Sequence, residues 1–182
     1  DSQDNVYVTG YGNDYITIKY EPNGKQLWVK RYNGSGNSGD NAYALAIDSQ
    51  DNVYVTGYSY ESALSSIDYA TVKYDTNGNQ LWVARYNGTG DQDDVAYALA
   101  IDSQDNVYVT GLSDGSGTSS DYVTIKYDTK GNQLWEKRYN GSGNSYDGAY
   151  ALAIDSQDNV YVTGYSYGNG TDRDYATIKY QQ

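Results

Sequence analysis

DSQDNVYVTG, residues 1–10, returns letter for letter from Asp48, from Asp102 and from Asp155, at spacings of 47, 54 and 53 residues. Three other blocks keep step with it. DYITIKY at Asp14 becomes DYATVKY at Asp68, DYVTIKY at Asp121 and DYATIKY at Asp174. QLWVKRYNG at Gln26 becomes QLWVARYNG at Gln80 and QLWEKRYNG at Gln133. AYALAIDSQDN starts at Ala42, Ala96 and Ala149. A period near fifty residues marks a solenoid, a propeller or an array.

Each unit reads as four short strands, here called A to D. In the second unit these are residues 42–47, 53–56, 69–74 and 81–86. Each alternates with period two and is rich in β-branched and aromatic residues. In strand A the alternation separates Tyr43, Leu45 and Ile47 from Ala42, Ala44 and Ala46. Asp-Ser-Gln-Asp-Asn divides A from B, and Asp-Thr-Asn-Gly-Asn divides C from D, both with turn chemistry. Most strands carry apolar groups on both faces, which a sheet with one wet face would not need. Sheets stacked around an axis would, with Ala-rich A innermost and Trp-bearing D at the rim. The expected fold is all-β: a β-propeller of about fifty-residue, four-stranded blades. The chain reads as one repeat domain, 1–182, in units 1–40, 41–94, 95–147 and 148–182. The first unit lacks A and the last lacks D, so the termini do not complete one blade. The chain also begins in mid-motif. We expect a processed form, a piece of a longer array, or copies that associate, because repeat units cannot bury their faces alone.

The pattern AYALAIDSQDNVYVTGYS followed by DYATIKY and GNQLW resembles the SBBP-type β-propeller repeat of bacteria and archaea, over almost the whole chain. The resemblance implies a repeat in an exported or surface protein with no common catalytic activity. Asp51 stands in the A–B turn where similar repeats would lead one to expect Gly.

Composition narrows function further. There is no Cys and no His, which removes disulfides, thiolate metal sites and His-dependent triads; there are 24 Tyr and no Phe. A net charge of −12 repels phosphate backbones and anionic lipid, and no basic patch offsets it. No run reaches the roughly 20 apolar residues of a membrane helix. We expect neither nucleic-acid binding nor membrane insertion, and an extracellular or cell-surface location.

Variation between copies is confined to the B–C and D–A loops, which leave the same end of an up-and-down blade. That face is a candidate recognition surface, although loops also drift without function. Tyr11, Tyr58, Tyr60, Tyr165 and Tyr167, with Asp114, Asn169 and Asp172, form a sugar-binding palette there. The alternative is that Tyr58 and Tyr165 merely extend strand B. Asp40, Asp91, Asp93, Asp94 and Asp147 in the D–A loops are candidate Ca²⁺ ligands if a closed ring gathers them; the alternative is a solvated loop. Asp48, Asp51 and Asn52 offer oxygens in one turn, but too few for Ca²⁺ without help, so they read first as turn-bonding residues. No other cofactor is expected. Asn33, Asn87, Asn140 and Asn169 head N-x-S/T sequons, and Asn-Gly is also an ordinary turn dipeptide. GSGNSG, residues 34–39, matches a dinucleotide fingerprint but no helix follows it, so it reads as a loop. No acidic residue stands apart from the repeat in an apolar setting, so we expect no enzyme. The expected role is an exported scaffold that self-associates into a ring, array or fibre. The alternative is a carbohydrate- or protein-binding propeller using the variable-loop face.

Overall fold

The computed structural model describes residues 1–62, 66–117 and 119–181. Among these residues fourteen strands form four antiparallel sheets. The first holds β1 (Val6–Tyr11), β2 (Tyr15–Tyr20) and β3 (Gln26–Tyr32). The second holds β4 (Asn41–Ile47), β5 (Val53–Tyr60), β6 (Ile67–Tyr74) and β7 (Gln80–Tyr86). The third holds β8 (Asp94–Ile101), β9 (Val107–Asp114), β10 (Ser120–Tyr127) and β11 (Gln133–Tyr139). The last holds β12 (Gly148–Ile154), β13 (Val160–Tyr167) and β14 (Arg173–Tyr180). All-β architecture and the order BCD, ABCD, ABCD, ABC follow directly. Among the described residues, no helix is long and apolar enough to cross a membrane.

The A–B turn explains how Asp replaces the expected glycine. Asp4, Asp51, Asp105 and Asp158 all sit at φ of 61–62°, the left-handed region that Asp tolerates better than most residues. Each turn is closed by its leading Asp. Asp48, for example, accepts from the backbone N–H of Gln50 and Asn52 and from Asn52 Nδ2.

Strand B runs past residues 53–56, and Tyr58 and Tyr165 extend it as the alternative reading held. Pairing continues through Tyr58 to Tyr69, Ser59 to Asp68 and Tyr60 to Ile67. The segment assigned to a variable loop is therefore partly strand. Strand A also departs from simple alternation. A β-bulge between Ala42 and Ala44 leaves Tyr43 without a cross-strand partner, and Tyr97 and Tyr150 repeat the feature. A bulge re-aims the extra side chain, so Tyr43 does not share a face with Leu45 and Ile47.

The sheets stack in chain order with a fixed polarity. Each presents aromatic residues downstream and aliphatic residues upstream. Tyr54, Tyr69 and Tyr86 of the second sheet pack on Val107, Val109 and Ile125 of the third. The same pairing joins the first sheet to the second and the third to the fourth. Strand A of each complete sheet lies beside strand A of the next.

Candidate functional site

The joint between successive sheets is the most strongly built feature of the chain, and it occurs three times. Its apolar centre is a Val pair of strand B: Val53 and Val55, Val107 and Val109, Val160 and Val162, all with no exposed surface. Polar keys surround it. Ser2, Ser49 and Ser103 each donate from Oγ to the A–B turn aspartate of the next sheet, Asp51, Asp105 and Asp158, at 2.5, 2.6 and 2.7 Å. The backbone N–H of each serine adds a second bond to the same carboxylate at 2.9–3.1 Å. Tyr15, Tyr69 and Tyr122 donate their hydroxyls to the backbone carbonyls of Ala70, Val123 and Ala176 in the following sheet. Lys19 and Lys73 reach the carbonyls of Thr76 and Thr129, as do the indole N–H groups of Trp28 and Trp82.

Electrostatics at the joint follow from burial. Lys19–Asp1, Lys73–Asp48 and Lys126–Asp102 are buried ion pairs at 3.0, 3.1 and 3.3 Å. Burial works to raise the carboxyls of Asp48 and Asp102, but bonds from Asn52 and Asn106 outweigh it and hold both below the usual carboxylate range. Burial likewise pushes the phenols of Tyr15 and Tyr69 up, so both remain neutral donors.

At the two ends the same groups lie open. Val6 and Val8 are 52% and 49% exposed. Tyr175, equivalent to the buried Tyr15, Tyr69 and Tyr122, is 87% exposed. Lys179 and Asp155 stand 4.0 Å apart and partly solvated.

A second feature was not legible in the sequence. The bulged Tyr43, Tyr97 and Tyr150 form a row along the A strands, their rings tilted, with centroids 5.4 and 4.7 Å apart. Tyr58 and Tyr60 extend the row from Tyr43, and Tyr165 and Tyr167 extend it from Tyr150. Arg173 lies over the Tyr165 ring at 4.2 Å. Burial, followed by the neighbouring phenols, pushes Tyr97 up to about 12. The signal in the sequence was the fixed position of a large residue within an otherwise Ala-rich strand.

The remaining candidates fall as follows. Tyr58, Tyr60, Tyr165 and Tyr167 join the ribbon from strand positions, not from a loop, because the B–C ladder continues through them. Tyr11 ends β1, is exposed, and faces Tyr15 across the turn. Asp114 ends β9 and accepts from the Ser120 hydroxyl. Asn169 is exposed, and its backbone N–H donates to Ser142 Oγ. Asp40, Asp94 and Asp147 are fully buried, and each accepts the N–H of a loop glycine: Gly34, Gly88 and Gly141. Asp40 and Asp147 also hold the backbone N–H of Tyr60 and Tyr167. These three carboxylates clasp their own D–A loops. Asp91 and Asp93 are exposed, and they accept from Asn87 Nδ2 and the Ile67 N–H. Among the described residues, no three Asp or Glu side chains are grouped to hold a metal. Asn33, Asn87 and Asn140 are exposed, and each donates its side-chain amide to the left-handed residue four positions on.

Comparison with known proteins agrees with the repeat architecture. Residues 27–62 and 81–117 match the family model SBBP, a beta-propeller repeat. Each matched segment spans strand D of one sheet and strands A and B of the next. An uncharacterized WD repeat-containing protein of Acanthamoeba polyphaga mimivirus is 30% identical over 110 residues, covering 51% of this chain and 8% of that protein. The regulatory protein FlaEY of Caulobacter vibrioides is 32% identical over 114 residues, covering 54% of this chain and 11% of FlaEY. The chain thus spans about a tenth of the length of these relatives. A crystal structure of a protein of unknown function from Bacteroides caccae superposes with a TM-score of 0.39 at 8% identity, covering 84% of this chain and 66% of that one. Two segments of this chain, residues 27–62 and 81–117, thus match the β-propeller repeat of the SBBP family.

Proposed function

We propose that this chain is a non-enzymatic, exported repeat scaffold that self-associates end to end. One observation carries the reading. The joint is directional and repeats: aromatic residues of one sheet cover the Val pair of the next at three successive joints. Repeats that stack through one complementary joint favour further docking through the same joint. The two faces differ, so docking is head-to-tail and gives rings if the rotation closes and filaments if it does not. Lack of Cys and a charge of −12 suit a surface setting.

Light scattering across a concentration series tests this. The expected mass rises from 20.1 kDa in multiples of it. Val6→Lys with Val8→Lys returns the chain to monomer. A monodisperse monomer at all concentrations overturns the proposal.

The tyrosine ribbon favours a second reading, carbohydrate binding. Aromatic rings flanked by polar groups are suited to neutral sugars, and the negative charge disfavours anionic ones. A glycan array tests it: binding lost in Tyr97→Ala supports the reading, and no binding by the native chain removes it.

A further inference from the structure

We propose that the third unit carries a binding site for a neutral pyranose sugar, in a cleft of about 430 Å³ walled by Gln92, Asp114, Ser116, Ser119 and Tyr146. The site shares a ligand class with the tyrosine ribbon but none of its residues, so the two readings stand or fall separately.

Three loops build the cleft. Gln92 comes from the D–A loop that enters the third sheet. Asp114 ends β9, and Ser116 and Ser119 lie between β9 and β10. Tyr146 comes from the D–A loop that leaves for the fourth sheet. All of these residues lie between β7 and β12, with a sheet on either side. The form of the cleft therefore does not depend on where the chain begins or ends.

Comparing the copies shows what is particular to this place. Strand B closes on Tyr-Ser-Tyr in the second and fourth units, at 58–60 and 165–167, but on Leu-Ser-Asp in the third, at 112–114. Asp114 thus stands where the other two units have Tyr60 and Tyr167. In the D–A loops, Tyr146 stands where the other two have Gly39 and Asp93. One change exchanges a ring for a carboxylate and the other supplies a ring. They are distant in sequence, yet both line one cleft. Independent loop drift gives no reason for that meeting.

The walls are held in place. The Asp114 N–H donates to the Asp93 carbonyl at 3.3 Å. The Asp147 N–H, next to Tyr146, donates to the Ser120 carbonyl at 2.7 Å. The buried Asp147 carboxylate in turn accepts from the backbone N–H groups of Gly141 and Tyr167. A backbone fixed on both sides lowers the ordering cost of binding.

The chemistry suits a polyol with one apolar face. Tyr146 is 57% exposed, and its ring is a flat apolar surface with a polar tip. Asp114 accepts the Ser120 hydroxyl through Oδ1. Its Oδ2 has no hydrogen-bond partner among the described residues, so it can accept from a sugar hydroxyl. The Gln92 amide and the two serine hydroxyls both donate and accept. No Lys or Arg is among the described residues that line the cleft. With a net charge of −12, that disfavours an anionic ligand. The volume lies within the roughly 300–1,000 Å³ of small-molecule sites.

Titration of the isotope-labelled chain with glucose, galactose, mannose and N-acetylglucosamine, followed by amide NMR shifts, tests the site. The expected result is a shift of the Gln92, Ser116 and Tyr146 signals by at least one sugar, with a Kd on the order of 1 mM. Tyr146→Gly gives this loop the residue that the first D–A loop has at Gly39, so the fold is kept. That variant and Asp114→Asn should each weaken binding by about tenfold or more, with Tm unchanged. Shifts at the cleft that persist at full strength in both variants overturn the proposal. Shifts confined to Tyr43, Tyr97 and Tyr150 also overturn it and leave the ribbon reading standing. No shift with any of the four sugars overturns it outright.

Discussion

Val109→Ala and Val8→Ala remove the same two methyl groups from the same VYVTG segment. Val109 is fully buried in the joint between the second and third sheets, whereas Val8 is 49% exposed on the first. At about 0.8 kcal/mol per buried methylene-sized group, Val109→Ala loses about 1.6 kcal/mol of transfer energy. A residual cavity on the order of 30 Å³ adds about 0.7 kcal/mol at roughly 24 cal/mol per Å³. The expected cost is therefore about 2 kcal/mol, or about 4–8 °C in Tm for a chain of this size. Val8→Ala loses about half the transfer energy and leaves no closed cavity, so about 0.8 kcal/mol. Thermal unfolding in dilute solution, followed by fluorescence of Trp82, which packs against the same joint, measures both. Equal shifts would refute the claim that the neighbouring sheet, and not the strand itself, makes these valines stabilising.

Three further outcomes follow from the same repeats. In Gly111→Ala the new Cβ would overlap the Val95 carbonyl oxygen and lie 2.9 Å from Ala96 Cα, whereas at Gly10 nothing lies within 4 Å. Chemical denaturation should show a loss of several kcal/mol for Gly111→Ala and almost none for Gly10→Ala. Asp94 is pushed up to about 6 by burial, partly offset by the Ser113 hydroxyl and the Gly88 N–H. Its folded pKa exceeds the unfolded value of about 3.9, so its contribution is most favourable below about pH 4 and declines as pH rises to 6, by roughly 3 kcal/mol in all. Asp94→Asn should remove that slope from a Tm–pH curve between pH 4 and 6, and an unchanged slope refutes the assignment. Because Asp40, Asp94 and Asp147 are buried and each already accepts a loop glycine N–H, Tm should be the same in EDTA and in millimolar Ca²⁺. A rise in Ca²⁺ would restore the metal reading.

The candidate site was legible only in part. Asp40, Asp94 and Asp147 read as candidate Ca²⁺ ligands or solvated loop carboxylates, because a sequence does not reveal which backbone N–H groups will turn towards them. Tyr58, Tyr60, Tyr165 and Tyr167 were visible as aromatic and clustered, but their placement on strands depends on the long B–C ladder, which no local turn signal marks. Tyr43, Tyr97 and Tyr150 were read as one face with Leu45 and its equivalents. The bulge that parts them arises from pairing with strand B, where Gly57, Gly111 and Gly164 admit the close approach of the A-strand backbone.

The sequence by itself determined the strands, their order and their turns. Period-two alternation, Asp-Asn turn chemistry and the four copies of DSQDNVYVTG act over a few residues, and each copy folds locally in the same way. Only the tertiary structure decided what each copy does. The Lys–Asp pair is buried at 3.0, 3.1 and 3.3 Å in the first three units and open at 4.0 Å in the last. The Val pair is half exposed in the first unit and buried in the rest. Burial belongs to whatever lies on the far side of a sheet, about 10 Å away, and identical residues meet different neighbours there.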